Sequence, residues 1–306
     1  GLARKIGLDE GIRRFYRAKR KGILVCLDAD TTVELNYLKA IEDLFEEQPA
    51  CPAASIRYAH PLGGLSQDHR LAIVQYELHL RIFLGLKRWT GYPYAFESIG
   101  SAMAVRSLDY CKQGGMNTRK AGEDFYYINK FTPLGGFGEI NNTCVYPSGR
   151  ISDRVPFGTG RAMQDVLATG EEWKTYPPSA FALLRGLFAM SRGEMKNWQS
   201  SLADTPLGNY LIEAKFSEGL SELILHTASE EAFRKRFFRW FDPFRIMKYL
   251  HFVLEAGADK IGVVEAGNFL LKEKGLPPEE DLEKMLAVFR SSAFFNAVPD
   301  GSPTVQ

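Results

Sequence analysis

Ile23-Leu24-Val25-Cys26-Leu27-Asp28-Ala29-Asp30-Thr31-Thr32 is the stretch whose reading decides the fold. Five apolar residues stop abruptly at two carboxylates spaced i and i+2. A short apolar run closed by acidic residues predicts a buried strand whose C-terminal end reaches the surface. In open α/β sheets that end is where ligands bind. Two carboxylates there suit a hard divalent cation, and such a cation suits a phosphate-bearing substrate.

Working outward, residues 8–20 read as an amphipathic helix with Leu8, Ile12, Phe15 and Tyr16 on one face, ended by Gly22. After Asp30, Thr31 and Thr32 offer a cap for a helix running to about Glu47, with Tyr37, Leu38, Ile41, Leu44 and Phe45 inward. Strands are expected at Pro52 to Tyr58, Ile99 to Arg106 and Glu139 to Val145, and a long, mostly buried helix over 70–87. Gly114-Gly115 breaks the chain before Ala121-Gly122-Glu123-Asp124, which opens a helix through about Phe131. From about 160 the periodicity turns helical, with Leu183 to Met190, Tyr210 to Phe216, Phe244 to Phe252 and Leu282 to Phe289. The expected organisation is an α/β portion over 1–160 and a helical extension or domain over 161–306.

Bulk composition narrows the classes. The 306 residues are 45% hydrophobic, ample for a packed core, and the formal net charge of +1 gives no global field for nucleic acid. The eight basic side chains within 1–22 (Arg4, Lys5, Arg13, Arg14, Arg17, Lys19, Arg20, Lys21) read either as a solvated helix face or as a source of one phosphate contact. Cys26, Cys51, Cys111 and Cys144 form no close pair, which argues against a zinc site or disulfide scaffold and suits a reducing compartment. No signal-peptide pattern opens the sequence, and its apolar stretches are broken by charges. A cytoplasmic location, with peripheral association at the inner face of a membrane left open, is the expectation.

The motif Asp28-Ala29-Asp30-Thr31-Thr32-Val33 admits several meanings. It matches D-x-D-x-T-V of haloacid-dehalogenase-like phosphatases, where Asp28 would be the nucleophile and Asp30 the general acid/base. It equally fits a D-x-D that holds the metal clamping a nucleotide diphosphate. Two carboxylates ending a strand in water is the plain alternative. Likewise Glu123-Asp124 is ordinary helix-start acidity unless chain order gives it more. His60 could ligate a metal, though a structural histidine is the commoner outcome. Trp89, Tyr92, Tyr94 and Phe96 could stack on a sugar, though core packing is the safer default.

Chain order favours the metal reading. D-x-D is followed by Gly100-Ser101-Ala102-Met103-Ala104-Val105-Arg106, then Gly114-Gly115-Met116, then Ala121-Gly122-Glu123-Asp124-Phe125, and it is preceded by Ala3-Arg4-Lys5-x-Gly7. In order and spacing, roughly 1–160 resembles the inverting family 2 glycosyltransferases of the GT-A fold. The resemblance implies a partial GT-A mixed sheet flanked by helices, followed by the helical C-terminal region. It implies a hexosyltransferase using Mg²⁺ or Mn²⁺, a nucleotide-sugar donor, and a saccharide or other hydroxyl acceptor. Asp30 would be the more direct metal ligand, and Asp28 the partner of the nucleotide ribose or of metal-bound water. Asp124 would be the general base, with Glu123 shaping the acceptor pocket; a helix N-terminus is expected to keep that base ionised. Arg4 would reach the diphosphate or base. Arg154, in the Gly- and Arg-rich loop from Ser148 to Gly160, would close over the donor, although the Q-x-x-R-W signature of processive members is absent.

Only 27 residues precede Asp28, whereas the family's nucleobase-binding strand–helix units come earlier. The expectation is an N-terminally truncated domain that binds sugar nucleotides weakly, with a sheet edge that self-association would cover. A catalytically idle GT-A-like binding module is the companion reading.

Overall fold

The structure, a computed structural model, describes residues 1–120, 122–150 and 172–291. They fall into two compact units, 1–77 with 96–150 and 78–95 with 172–291. The first is α/β, built on a mixed five-stranded sheet flanked by helices; the second is helical with one small two-stranded sheet.

In the first unit, α1 (Leu2–Arg17) leads into β1 (Ile23–Cys26), whose residues alternate between partly and fully buried, as a strand with one sealed face requires. Then follow β2 (Thr32–Val33), α2 (Tyr37–Glu47), β3 (Ala53–Tyr58), α3 (Gln67–Trp89), β4 (Met103–Arg106), α4 (Ser107–Lys112), α5 (Glu123–Ile128) and β5 (Gly138–Tyr146). The strand order is β1-β4-β3-β5-β2. The β3–β5 pair is parallel and the other neighbours are antiparallel, with Cys26 opposite Met103 and Ser55 opposite Glu139. Central β3 buries five of its six residues, and β1 lies at one edge.

Beneath β1 the core gathers Leu8, Leu24, Cys26, Met103, Val105, Tyr110, Tyr127 and Phe131. α1 approaches closely because Gly11 carries no side chain; a Cβ there would stand 2.6 Å from Leu24 Cδ2. Overlap of that kind forces a shift in a packed interior.

Several sequence expectations change in detail. The first helix starts at Leu2 rather than residue 8, running through Gly7 and Gly11, and Tyr16 lies outside its buried face at 84% exposure. Thr32 pairs with Tyr146 in β2 instead of capping α2, which begins after Asn36. Leu38 faces outward and Ala40 takes its expected inner place, because tertiary contact rather than residue type selects the helix face. Gly100 and Ser101 form a turn ahead of β4 rather than its first residues.

α3 runs on into the second unit, whose main elements are β6 (Lys174–Thr175), α6 (Pro178–Ala189), α7 (Arg192–Met195), α8 (Trp198–Ser201), α9 (Pro206–Glu213), α10 (Phe216–Leu225), α11 (Glu230–Trp240), α12 (Pro243–Glu255), β7 (Ile261–Gly262), α13 (Val263–Glu273) and α14 (Leu282–Arg290). Its centre is aromatic: Phe188 lies with its ring centroid 5.1 Å from Phe241 and 5.3 Å from Phe238, and Phe216 lies 4.9 Å from Trp240. The two Phe188 contacts are edge-to-face and the Phe216–Trp240 contact is tilted, and such ring pairs add to the burial of each ring. Among the described residues no helix is long and apolar enough to cross a membrane.

Candidate functional site

The apolar run of β1 ends at Cys26, and the chain turns at once, with Thr31 N donating to Asp28 O at 3.0 Å. The turn lifts both aspartates out of the core; their side chains are 50% and 35% exposed. The second acidic pair comes from elsewhere in the chain. Gly114 and Gly115, at φ 70° and 68°, end α4, and Gly122, at φ 66°, starts α5 on Glu123 and Asp124. Those left-handed values favour glycine, which explains its use at these breaks.

Arg4, one turn into α1, joins the two acidic pairs. Its Nη2 donates to Asp28 Oδ1 at 2.8 Å and its Nη1 to Glu123 Oε1 at 2.7 Å. Gly100 makes room for the guanidinium, since a Cβ there would lie 2.5 Å from Nη1. Burial works against the Arg4 charge, yet Asp28 and Glu123 outweigh it and hold the group above its ordinary pKa. The guanidinium at its centre is therefore charged at any ordinary pH.

Asp124 sits beside this bridge, half-buried. Burial raises its carboxyl above the usual carboxylate range; the Phe125 N–H, donating to Oδ1 at 2.8 Å, pulls the other way, Glu123 adds to the rise and Arg4 opposes it. The helix start was expected to keep this acid ionised, but at the head of a six-residue helix desolvation is the larger effect. Cys26 lies beneath the cluster. Its thiol is pushed up to about 12, first by burial and then by Asp28, Asp124 and Glu123 together, with Arg4 opposing. One buried sulfur thus feels all three acids and the arginine, which places them around the end of β1.

Asp30 Oδ2 accepts from Arg150 Nε at 2.8 Å. Arg154 lies outside the described residues, as does Ala121 of the Ala-Gly-Glu-Asp stretch. His60 is buried and bonds Glu77 Oε2 through Nδ1 at 3.0 Å and through its backbone N at 2.9 Å. Tyr92 packs among Tyr94, Phe188 and Phe238, Trp89 against Phe269, and Phe96 against Phe137.

Two contributors had no distinct signal in the sequence. Asn117 donates through Nδ2 to Glu123 O at 2.9 Å and fixes the start of α5, and Arg150 was one cation among several in its loop. Nothing in their local pattern separates them from ordinary turn and surface residues.

The donor set fits a cation that is shared with a phosphate ligand. Among the described residues no group of three or more His, Cys, Asp or Glu side chains could enclose a metal by itself. Asp28 and Asp30 each keep one carboxylate oxygen clear of their arginine. Mg²⁺ is commonly held by one or two carboxylates plus substrate phosphates and water, which asks no more than this pair offers. No protein-family model, curated protein or solved structure matches this chain.

Proposed function

We propose that the chain is a metal-dependent inverting glycosyltransferase that moves a hexosyl group from a nucleotide-sugar donor to an acceptor hydroxyl. The supporting observation is the Arg4 bridge, which ties Asp28 to Glu123 and so sets the D-x-D turn beside the acidic start of α5. Asp28 and Asp30 would hold Mg²⁺ or Mn²⁺, which when bound supplies Lewis-acid neutralisation of the departing diphosphate.

The remaining roles belong to the chain. The acceptor oxygen attacks the anomeric carbon as the bond from that carbon to the diphosphate oxygen breaks. Asp124 takes the hydroxyl proton on Oδ2, since Oδ1 already accepts the Phe125 N–H. A carboxylate raised toward the working pH makes a better base than one held low, provided that it stays ionised. Glu123, anchored to Arg4, shapes the acceptor side, and Asp28 serves the ribose or metal-bound water. Arg4 brings positive charge to the donor phosphates.

The test is nucleoside diphosphate release from UDP- and GDP-sugars with Mn²⁺, together with Mn²⁺-dependent binding of UDP and GDP. Release that is lost in Asp124→Asn, with binding kept, supports the reading. No release and no metal-dependent binding of either nucleotide overturns it. The arginine on each D-x-D carboxylate favours a second reading, an idle binding module. Binding without release in the unaltered chain would select that one. Inhibition by beryllofluoride with a phospho-aspartate at Asp28 would select the phosphatase instead.

A further inference from the structure

We infer that the outward face of α1 is a docking surface for a membrane of anionic lipids, on which the helix lies flat. At about 3.6 residues per turn, Leu2, Ile6, Arg13, Tyr16 and Arg17 share one side of α1, turned away from Leu8, Ile12 and Phe15, which pack into the core beneath β1. Three of these outward side chains are large and hydrophobic, and they stand open to solvent: Leu2 is 58%, Ile6 62% and Tyr16 84% exposed. Asp9 lies on the same side, but Lys5 Nζ meets one of its oxygens at 2.7 Å and the Tyr110 hydroxyl donates to the other. Arg4 projects from another side of the helix, so the docking face and the Asp28–Glu123 bridge use different residues.

Beside this stripe stands concentrated positive charge. Arg13, Arg14, Arg17, Lys19, Arg20 and Lys21 put six cations into nine residues, all of them exposed. Glu10 meets Arg13 and Arg14, at 2.5 and 3.0 Å. Arg17, Lys19, Arg20 and Lys21 form no ion pair with a described residue. Cations in a last turn are ordinary partners of the helix dipole, which accounts for Arg14 and Arg17 but not for the three that follow. There Lys19 N donates to Tyr16 O and Arg20 N to Phe15 O, both at 3.0 Å, with Lys19 at φ 52°. That closure ties Lys19 and Arg20 to the turn that carries Tyr16 and Arg17. The whole chain has a net charge of +1, so attraction to an anionic surface comes from this patch rather than from the molecule at large. Clusters of about four to eight Lys and Arg recognise anionic lipid surfaces, and hydrophobic side chains beside them enter the boundary between headgroups and acyl chains. A nucleic acid would use the cations alone and leave Leu2 and Ile6 in water, which is why the lipid surface is the better fit.

Sedimentation of the whole chain with vesicles tests this, using phosphatidylcholine alone and an equimolar mixture of phosphatidylcholine and phosphatidylglycerol. Expected is binding to the mixed vesicles, none to phosphatidylcholine alone, and a steep fall in binding as salt rises. Arg17→Gln, Arg20→Gln and Lys21→Gln combined should weaken binding about a hundredfold, at about fivefold for each cation near an anionic surface. Ile6→Gln combined with Tyr16→Ser leaves the charge unchanged and should weaken binding by about tenfold or more, through lost apolar burial. All five substitutions are at exposed positions and should keep the wild-type Tm, which separates lost docking from lost folding. No binding to the mixed vesicles overturns the inference. Binding to duplex DNA in its place names a nucleic acid as the occupant, and a dimer that Ile6→Gln dissolves names a second copy of the chain. Equal vesicle binding by the wild type and either combined variant overturns it too, since both the cations and the hydrophobic stripe are required.

Discussion

In the helical unit five of the nine helices α6–α14 begin on a side chain that closes the first turn. Ser191 forms a full capping box with Glu194, and Thr205, Ser229, Asp242 and Asp281 each accept a backbone N–H from the helix that they precede. In the sheet unit, α1, α2, α4 and α5 begin without a side-chain cap. The sheet unit also buries the Tyr37 and Tyr127 hydroxyls with no hydrogen-bond partner among the described residues, and it raises the pKa of Asp124 by burial. Such departures from local rules cost stability, and they gather where a protein does chemistry. The helical unit has its own such departures, in the buried Tyr92 hydroxyl and its uncapped helices, but in the sheet unit they surround one cluster of charges.

That contrast can be broken at four places. Asp124→Asn should give the largest effect, a drop in transfer of about 10²- to 10⁴-fold, as removal of a general base does, measured as nucleoside diphosphate release. Its effect on stability should run the other way. A carboxyl raised by burial favours the folded state while protonated, fully so below its unfolded pKa, and that contribution is lost as pH rises through the folded value. The amide has no such loss, so thermal denaturation at pH 7 should show Asp124→Asn no less stable than wild type. A clear fall in Tm would mean that Asp124 is structural.

In the helical unit the ordering should invert. Phe237→Ala removes a ring that is 1% exposed within the aromatic centre and should cost about 3–5 kcal/mol, read by chemical denaturation. A cost below 1 kcal/mol would show the centre to be loosely packed. Gly100→Ala is smaller, about 1–3 kcal/mol from overpacking, but it should displace Arg4 and lower transfer and UDP binding along with stability. Unchanged UDP binding would separate the bridge from the donor side. Asp242→Ala should be the mildest, about 1 kcal/mol by loss of the cap on α12. Any loss of activity beyond that change in stability would contradict a purely structural role for the helical unit.

The sequence was most informative where one residue's neighbours in the chain are also its neighbours in space. β1 with its acidic end, β3, α3, β5 and the later helices follow from periodicity, because an apolar stripe of the right period must be buried. The abrupt apolar-to-acidic change at Leu27-Asp28 similarly marks a strand end at the surface. Element starts were read less well. The first helix reads as starting at residue 8, yet it begins at Leu2 and runs through Gly7 and Gly11, where Gly11 lets α1 lie against Leu24. Thr31-Thr32 looks like a cap and becomes a strand, because β5 offers Tyr146 and Val145 as partners that the local sequence does not announce.

The chain by itself therefore determined the longer strands and helices of the sheet unit, that two acidic pairs exist, and that the C-terminal region is mainly helical. Only the tertiary structure decided that Arg4 joins Asp28 to Glu123, that Gly100 clears its path, and that burial lifts the Asp124 carboxyl above the usual carboxylate range. The reason is physical. Periodicity reports the burial of apolar surface, which each segment carries in its own residues, whereas ion pairing and desolvation depend on the distance between groups that only folding brings together.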